Sequence, residues 1–177
     1  VRMSKRTGKA IALHDLLDEI SVDAARYYFN NRASTSSLDF DLDLAVRQDS
    51  DNPVYYVQYA HARICSLLAN LAEDGATVLP CAQIDPALLA TEEERCLVKT
   101  LAQYPEEIRL AARDYDPSRI NRYLTALAGD FHRFYNACRL KGEETNLQAV
   151  RLKLADSVRL VLANGLNLLG VSAPVKM

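Results

Sequence analysis

The chain has 177 residues, of which 49% are hydrophobic, so it can bury a core as one domain, or as one domain with an appendage. Its 21 basic and 23 acidic residues give a net charge of −2. This balance argues against a protein that holds nucleic acid mainly by bulk positive potential, so any such binding has to be local.

The sequence has no apolar run near the roughly 20 residues that a membrane span needs, and no signal peptide pattern. We therefore expect a soluble, cytoplasmic protein. Its four cysteines are spaced too widely for a zinc finger, which predicts buried, reduced thiols and no metal site. The chain begins with Val1 and Arg2 in a basic stretch rather than with methionine, and we expect a fragment of a longer protein.

The first elements are a loop and two short helices. Residues 1–9 are basic and contain glycine, which predicts a loop, and a short helical pattern follows. Ser21 is a suitable N-cap for the second helix. Its apolar period predicts that Phe29 is buried, with the aliphatic part of Arg26 packed beside it.

Residues 38–44 alternate between apolar and acidic side chains, which predicts an extended segment with one wet face. Three aspartates in this segment invite a calcium interpretation. A calcium loop of the helix-loop-helix type needs glycine at its sixth position and glutamate at its twelfth, where this chain has Leu44 and Ser50. We therefore expect no calcium site.

From residue 51 the pattern is helical. Asp51 or Asn52 caps the first long helix, Pro53 occupies its first turn, and Gly75 ends it. Its apolar residues recur at steps of four and three and form one buried seam: Val57, His61, Ile64, Leu68 and Leu71.

Three more helices follow a loop over residues 76–90. Thr91 begins a capping box, and Pro105 has to kink or interrupt the helix that follows. Pro117 starts the third helix, and the last runs over residues 146–170 with Leu168 on its apolar stripe. The predicted apolar seam of the third helix consists of Ile120, Leu124, Leu127, Phe131, Phe134 and Cys138. Four such helices predict an all-α protein with a helical bundle.

Two rows of aromatic and basic residues lie beside the apolar seams. The first helix carries Tyr56, Tyr59 and Arg63, and the third carries Asn121, Thr125, His132, Tyr135 and Arg139. Flat rings suit stacking on unpaired bases, and guanidinium groups can stack or hold phosphate. Tyrosines at this spacing also occur as core residues with the hydroxyl at the edge, so the pattern leaves both interpretations open.

Seven segments follow one another in a characteristic order: Met3 to Arg6, Val22 to Phe29, Leu38 to Ala45, Asn52 to Arg63, Asn121 to Leu124, Phe131 to Asn136, and Leu169 to Pro174. With these segments the chain resembles bacterial arginyl-tRNA synthetases of class I. Met3-Ser-Lys-Arg6 is similar to the signature loop of that class, written Lys-Met-Ser-Lys-Ser.

The resemblance implies a division of the chain and a set of partners. Residues 1–50 would be the end of the catalytic domain with its connection, and residues 51–177 the anticodon-binding helical bundle. The parent enzyme would join L-arginine to the tRNA that accepts it, using ATP with magnesium. No DNA or membrane partner is expected, and no cofactor for the fragment alone.

Roles for individual residues follow from the resemblance. Met3, Ser4 and Lys5 would belong to the ATP-binding loop, with Lys5 stabilising charge on the triphosphate. The residues expected to contact the anticodon loop are Tyr59, Tyr135 and Met177, with Arg63 and Arg139 added from their helical positions.

The sequence offers no self-contained catalytic centre. Three histidines lie without a glycine-flanked serine or a partnered cysteine, so we expect the fragment alone to be catalytically incompetent. The alternative function is a helical protein–protein interaction module, in which the tyrosine rows pack against a partner protein.

Overall fold

A computed structural model describes residues 12–33 and 36–177. The predicted loop with Met3, Ser4 and Lys5 lies outside these residues. The α-helices are α1 (Leu13–Glu19), α2 (Val22–Asn30), α3 (Leu42–Val46), α4 (Pro53–Glu73), α5 (Glu92–Asp114), α6 (Ser118–Ala137) and α7 (Thr145–Leu168), with single 3₁₀ turns at Cys81–Gln83 and Pro86–Leu88. In the described part of the chain there is no strand, which confirms the all-α prediction.

Helices α4 to α7 form the predicted bundle. Helix α6 is central because it packs against α4, α5 and α7, while α7 also contacts α4 and α5. The largest fully buried side chains of the bundle come from all four helices: Ile64, Leu97, Leu124, Leu127, Phe131, Phe134, Leu162 and Leu166. Within the described residues, no helix is long and apolar enough to cross a membrane.

The predicted helix starts are confirmed at two positions. Asn52 precedes α4, and Pro53 takes its first position. The Thr91 hydroxyl accepts the Glu94 backbone N–H at 3.2 Å, and the Glu94 carboxylate accepts the Thr91 N–H at 2.9 Å. This reciprocal pair is the capping box that the sequence predicts.

Helix α2 buries a different face from the predicted one. Phe29 is 48% exposed, whereas Tyr27 and Tyr28 are buried. The Tyr28 hydroxyl donates to the side chain of Asn52 at 3.2 Å. The prediction for Phe29 was wrong because the hydroxyls of these two tyrosines find buried partners on α6 and before α4, so α2 turns that side inward.

The alternating segment is only partly extended. Residues 37–41 have no regular structure, but α3 begins at Leu42. The Asp41 carboxylate accepts the Leu44 N–H at 3.1 Å and caps this helix. The extended prediction was wrong beyond Asp41 because an aspartate that caps a helix looks, in the sequence, like the polar member of an alternating pair.

Of the two outcomes expected for Pro105, an interruption of the helix is not observed, since Pro105 lies inside α5. Two further expectations need correction. Of the four cysteines only Cys138 is buried, and Cys81 is exposed. Leu168, expected on the buried stripe of α7, is 58% exposed.

The last residues fold back onto α4 and α2. The Gln58 side chain donates to the Asp23 carboxylate at 2.9 Å and to the Ser172 carbonyl at 3.0 Å. The His61 ring donates from Nδ1 to the Pro174 carbonyl at 2.9 Å, so this buried histidine has a hydrogen-bond partner. These bonds fix the chain up to three residues before its end.

A buried ion pair ties α5 and α7 to the segment that follows α6. Arg151 on α7 donates from Nε to Glu94 on α5 at 2.6 Å, and from Nη1 to the carbonyl of Arg139 at 2.7 Å. Glu94 is fully buried and Arg151 is 7% exposed. The pair therefore positions the segment that follows α6.

Candidate nucleic-acid interface

Two neighbouring helices bring the predicted aromatic rows together. Val57 and Ile64 are fully buried, and this fixes the rotation of α4. Tyr56, Tyr59 and Arg63 lie three, four and seven positions apart, so they share one side of α4. The ring contacts of both tyrosines with His132 show that this side adjoins α6. We call the surface formed with His132 and Tyr135 of α6 the aromatic face.

The rings of the aromatic face contact one another across the two helices. The centroids of Tyr59 and His132 lie 6.1 Å apart with 29° between the ring planes. Those of Tyr56 and His132 lie 5.0 Å apart. Tyr55 extends the row, since its ring lies 6.0 Å from that of Tyr59 with only 9° between the planes. The rings of Tyr55, Tyr59 and His132 thus form a stacked row, whereas the Tyr56 ring is tilted by 54° against that of His132.

A guanidinium group completes the face. The Arg63 Cζ atom lies 4.2 Å from the centroid of the Tyr135 ring and 5.8 Å from that of Tyr59. Both distances are within the range of a cation–π contact, which here orders the arginine against two rings. A positive charge is therefore held among aromatic surfaces, where a base or a phosphate could meet it.

The rings are partly exposed at the surface. Tyr59 is 38% exposed, and Tyr56, His132 and Tyr135 are half-buried. Tyr56 and Tyr135 also pack against the hydrophobic core, so core packing accounts for part of each ring. The exposed parts of the rings form the surface that a flat ligand could meet.

The electrostatics of the face favour a neutral imidazole. Burial lowers the pKa of His132, and the nearby Arg63 charge lowers it further. Burial raises the pKa of Tyr56, so its hydroxyl stays protonated and can donate a hydrogen bond. Arg63 is thus the charged group of the aromatic face, and the rings around it are neutral.

Two predicted members of the α6 row serve other purposes. Asn121 is fully buried, and its side chain donates to the Tyr27 carbonyl at 3.0 Å. The Thr125 hydroxyl lies 3.0 Å from that of Tyr27. Both residues therefore attach α2 to α6 and do not join the aromatic face.

Arg139 and Met177 lie beyond the regular elements. Helix α6 ends at Ala137, so helical spacing does not set the direction of Arg139, which is exposed and has its backbone held by Arg151. Met177 is 53% exposed and comes three residues after Pro174, which is bonded to α4. The structure places neither side chain in the ring contacts of the aromatic face.

Sequence reasoning did not single out Tyr55, although its spacing of four from Tyr59 was the available signal. No three metal-binding side chains converge within residues 12–33 and 36–177. His61 and Cys65 approach to 3.8 Å, but this contact forms half a site at most.

Comparisons with known proteins place this geometry in a family context. Residues 57–177 match the model of the DALR anticodon binding domain. The arginine–tRNA ligases of Acetivibrio thermocellus and Ruminiclostridium cellulolyticum are 55% and 52% identical to this chain over 176 residues, which is 99% of the chain and 31% of each relative. The chain thus spans about a third of the length of these curated relatives.

A solved structure of an arginyl-tRNA synthetase is also similar to this chain. The arginyl-tRNA synthetase of Thermus thermophilus superimposes with a TM-score of 0.76 at 28% identity. The match covers 98% of this chain and 29% of that chain.

Proposed function

Because this chain belongs to the DALR anticodon-binding domain family, we propose that its aromatic face binds the anticodon loop of a tRNA. The observation that carries the proposal is the convergence of Tyr59, Tyr135 and Arg63 from two helices at one surface. Splayed bases of a loop can stack on such rings, and stacking contributes about 1–3 kcal/mol per base.

The parent activity is proposed to be the ligation of L-arginine to the tRNA that accepts it, with ATP, in the cytoplasm. The support is the similarity to arginine–tRNA ligases at 55% and 52% identity. Lys5, with Met3 and Ser4, is proposed to contact the triphosphate of ATP, which is bound with magnesium in the whole enzyme. The chain alone is proposed to bind tRNA without catalysing ligation.

Each residue of the aromatic face has a distinct proposed task. Tyr59 and Tyr135 present flat surfaces to bases, and Arg63 between them offers a planar cation that can stack or donate to a phosphate. His132 supports the Tyr59 ring from α6. Met177 and Arg139 are proposed as further contacts with the loop, through the tail and the segment after α6.

The test is binding of arginine-accepting tRNA, compared with tRNAs that accept other amino acids. We expect tighter binding of the former, and a loss of about 5- to 150-fold in affinity for Tyr59→Ala and Tyr135→Ala, because each removes a stacking surface of about 1–3 kcal/mol. Tyr59→Phe should retain most of the affinity, since the ring remains. Tyr115→Ala is the matched control, because Tyr115 is 90% exposed at the end of α5.

Stability has to be measured beside affinity. Loss of affinity with the free energy of unfolding intact supports a nucleic-acid surface. Equal binding of all tRNAs, or parallel loss of stability and affinity in both tyrosine variants, would contradict the proposal and favour a protein–protein module.

A further inference from the structure

A groove runs beside the aromatic face, between the start of α4 and the outer side of α6. It has a volume of about 650 Å³, and its walls include Asn31, Pro53, Tyr56, Arg122, Gly129 and Arg133. A volume of this size suits a group as large as a nucleotide. The groove and the aromatic face share Tyr56, whose ring also contacts His132, so the two surfaces are continuous.

Gly129 keeps the wall of the groove open at Tyr56. A Cβ atom at this position would lie 3.5 Å from the Tyr56 hydroxyl, in van der Waals contact. Any side chain longer than a methyl group would therefore compete with Tyr56 for the space inside the groove. The passage from the aromatic face into the groove depends on this glycine.

Two arginines line the groove, and their side chains are exposed to solvent. Arg133 is paired with Asp130, and its side chain is 66% exposed. Arg122 donates to the Ser118 hydroxyl at 2.7 Å and approaches Asp116 at 3.5 Å, and its side chain is 59% exposed. A guanidinium group has five N–H donors, so these bonds orient each guanidinium group and still leave donors for an anion.

The charge of the groove lining favours phosphate. The lining contains two arginines, Arg122 and Arg133, and one carboxylate, Asp130, so its net charge is positive. Arg122 and Arg133 are eleven positions apart, which corresponds to about 16 Å along the helix axis at about 1.5 Å per residue. They can therefore contact separate phosphates of one strand.

We infer that the groove holds the sugar-phosphate backbone of the RNA strand that leaves the aromatic face, with Arg122 and Arg133 bound to its phosphates. This inference rests on the proposed function, because it requires that the aromatic face binds RNA. Under this inference the bases stack on the aromatic face, and the sugar-phosphate backbone contacts the adjoining groove.

The two kinds of contact differ in their salt dependence. Each phosphate contact with single-stranded RNA contributes about 0.7 to the slope of log affinity against log salt concentration, whereas ring stacking contributes little. Arg122→Gln and Arg133→Gln should each reduce the slope by about 0.7 and weaken binding about fivefold at about 0.1 M salt. The double variant should lose about 1.4 of slope.

Arg109→Gln is the matched control. Arg109 forms the same kind of pair with Glu106, three residues earlier, on the exposed side of α5. Its slope should equal that of the unmodified protein. Arg133→Lys keeps the charge and should keep the slope, so an effect of Arg133→Gln on folding can be told from the loss of a phosphate contact.

The outcomes separate this inference from the proposed function. The inference would be overturned if Arg122→Gln and Arg133→Gln both had the same salt-dependence slope as Arg109→Gln. The proposed function would still stand in that case, provided that Tyr59→Ala weakens tRNA binding without a change in slope. Absence of tRNA binding by the unmodified protein, or full affinity in the tyrosine variants, would overturn both.

Discussion

Replacement of Arg151 by methionine tests how the segment after α6 is held. Methionine keeps the apolar stem but removes the 2.6 Å bond to Glu94 and the 2.7 Å bond to the Arg139 carbonyl. Glu94, which is fully buried, would then carry an unpaired charge. Loss of one member of a buried ion pair costs about 3–5 kcal/mol, and we expect a loss of this size in the free energy of unfolding.

The assay is urea denaturation followed by circular dichroism. With a dependence of about 2 kcal/mol per M of urea, a loss of about 4 kcal/mol lowers the midpoint by about 2 M. The double variant Glu94→Gln with Arg151→Met removes both charges and should lose less than the sum of the single variants. A loss below about 1 kcal/mol for Arg151→Met, or additive single effects, would refute the reasoning.

The Glu94–Arg151 pair also predicts how the free energy of unfolding depends on pH. Burial opposes ionisation of Glu94, but the Thr91 N–H and the Arg151 guanidinium outweigh it and lower the pKa of the carboxyl below its usual 4.5. A lowered pKa in the folded state means that the stabilisation is complete above about pH 4.5 and is lost as the pH falls through the folded-state pKa. Glu94→Gln should therefore flatten the acid side of the stability profile.

Further predictions concern single sites. Burial and Arg63 lower the pKa of His132, so the unfolded chain takes up the proton first and the protein loses stability below about pH 6.5. His132→Gln should reduce this loss. Equal profiles of unfolding free energy against pH for the two proteins, measured by urea denaturation, would contradict the prediction. Leu162→Ala should cost about 2–5 kcal/mol, whereas Leu168→Ala, at an exposed position, should change stability by less than about 0.5 kcal/mol. Thr91→Ala removes the cap of α5 and should cost about 1 kcal/mol, measured in the same way.

The long helices could be predicted because local signals and burial agree there. In α6 and its C-cap Cys138 the whole predicted seam is buried, including Leu124 and Phe131. Helix α4 starts where Asn52 and Pro53 indicate. In such segments one apolar stripe determines which side faces the core. The rows beside the stripe then follow, which is why the aromatic face could be predicted from spacing.

The short elements depend on distant contacts that spacing does not contain. Helix α2 is turned by hydrogen bonds from Tyr27 and Tyr28 to residues far along the chain, so its apolar period misplaced Phe29. The Glu94–Arg151 pair joins side chains 57 residues apart, and no local sequence pattern predicts it. The groove was missed for the same reason, since its walls come from three separate segments.

The position of Arg63 over Tyr135 has a consequence for the thermodynamics of association. Ordering a long side chain at an interface costs about 0.5–1.5 kcal/mol of conformational entropy. A guanidinium already confined between two rings has lost part of that freedom before any ligand arrives. Truncation of either tyrosine would release Arg63, and the penalty would then appear in calorimetry as a less favourable entropy of binding.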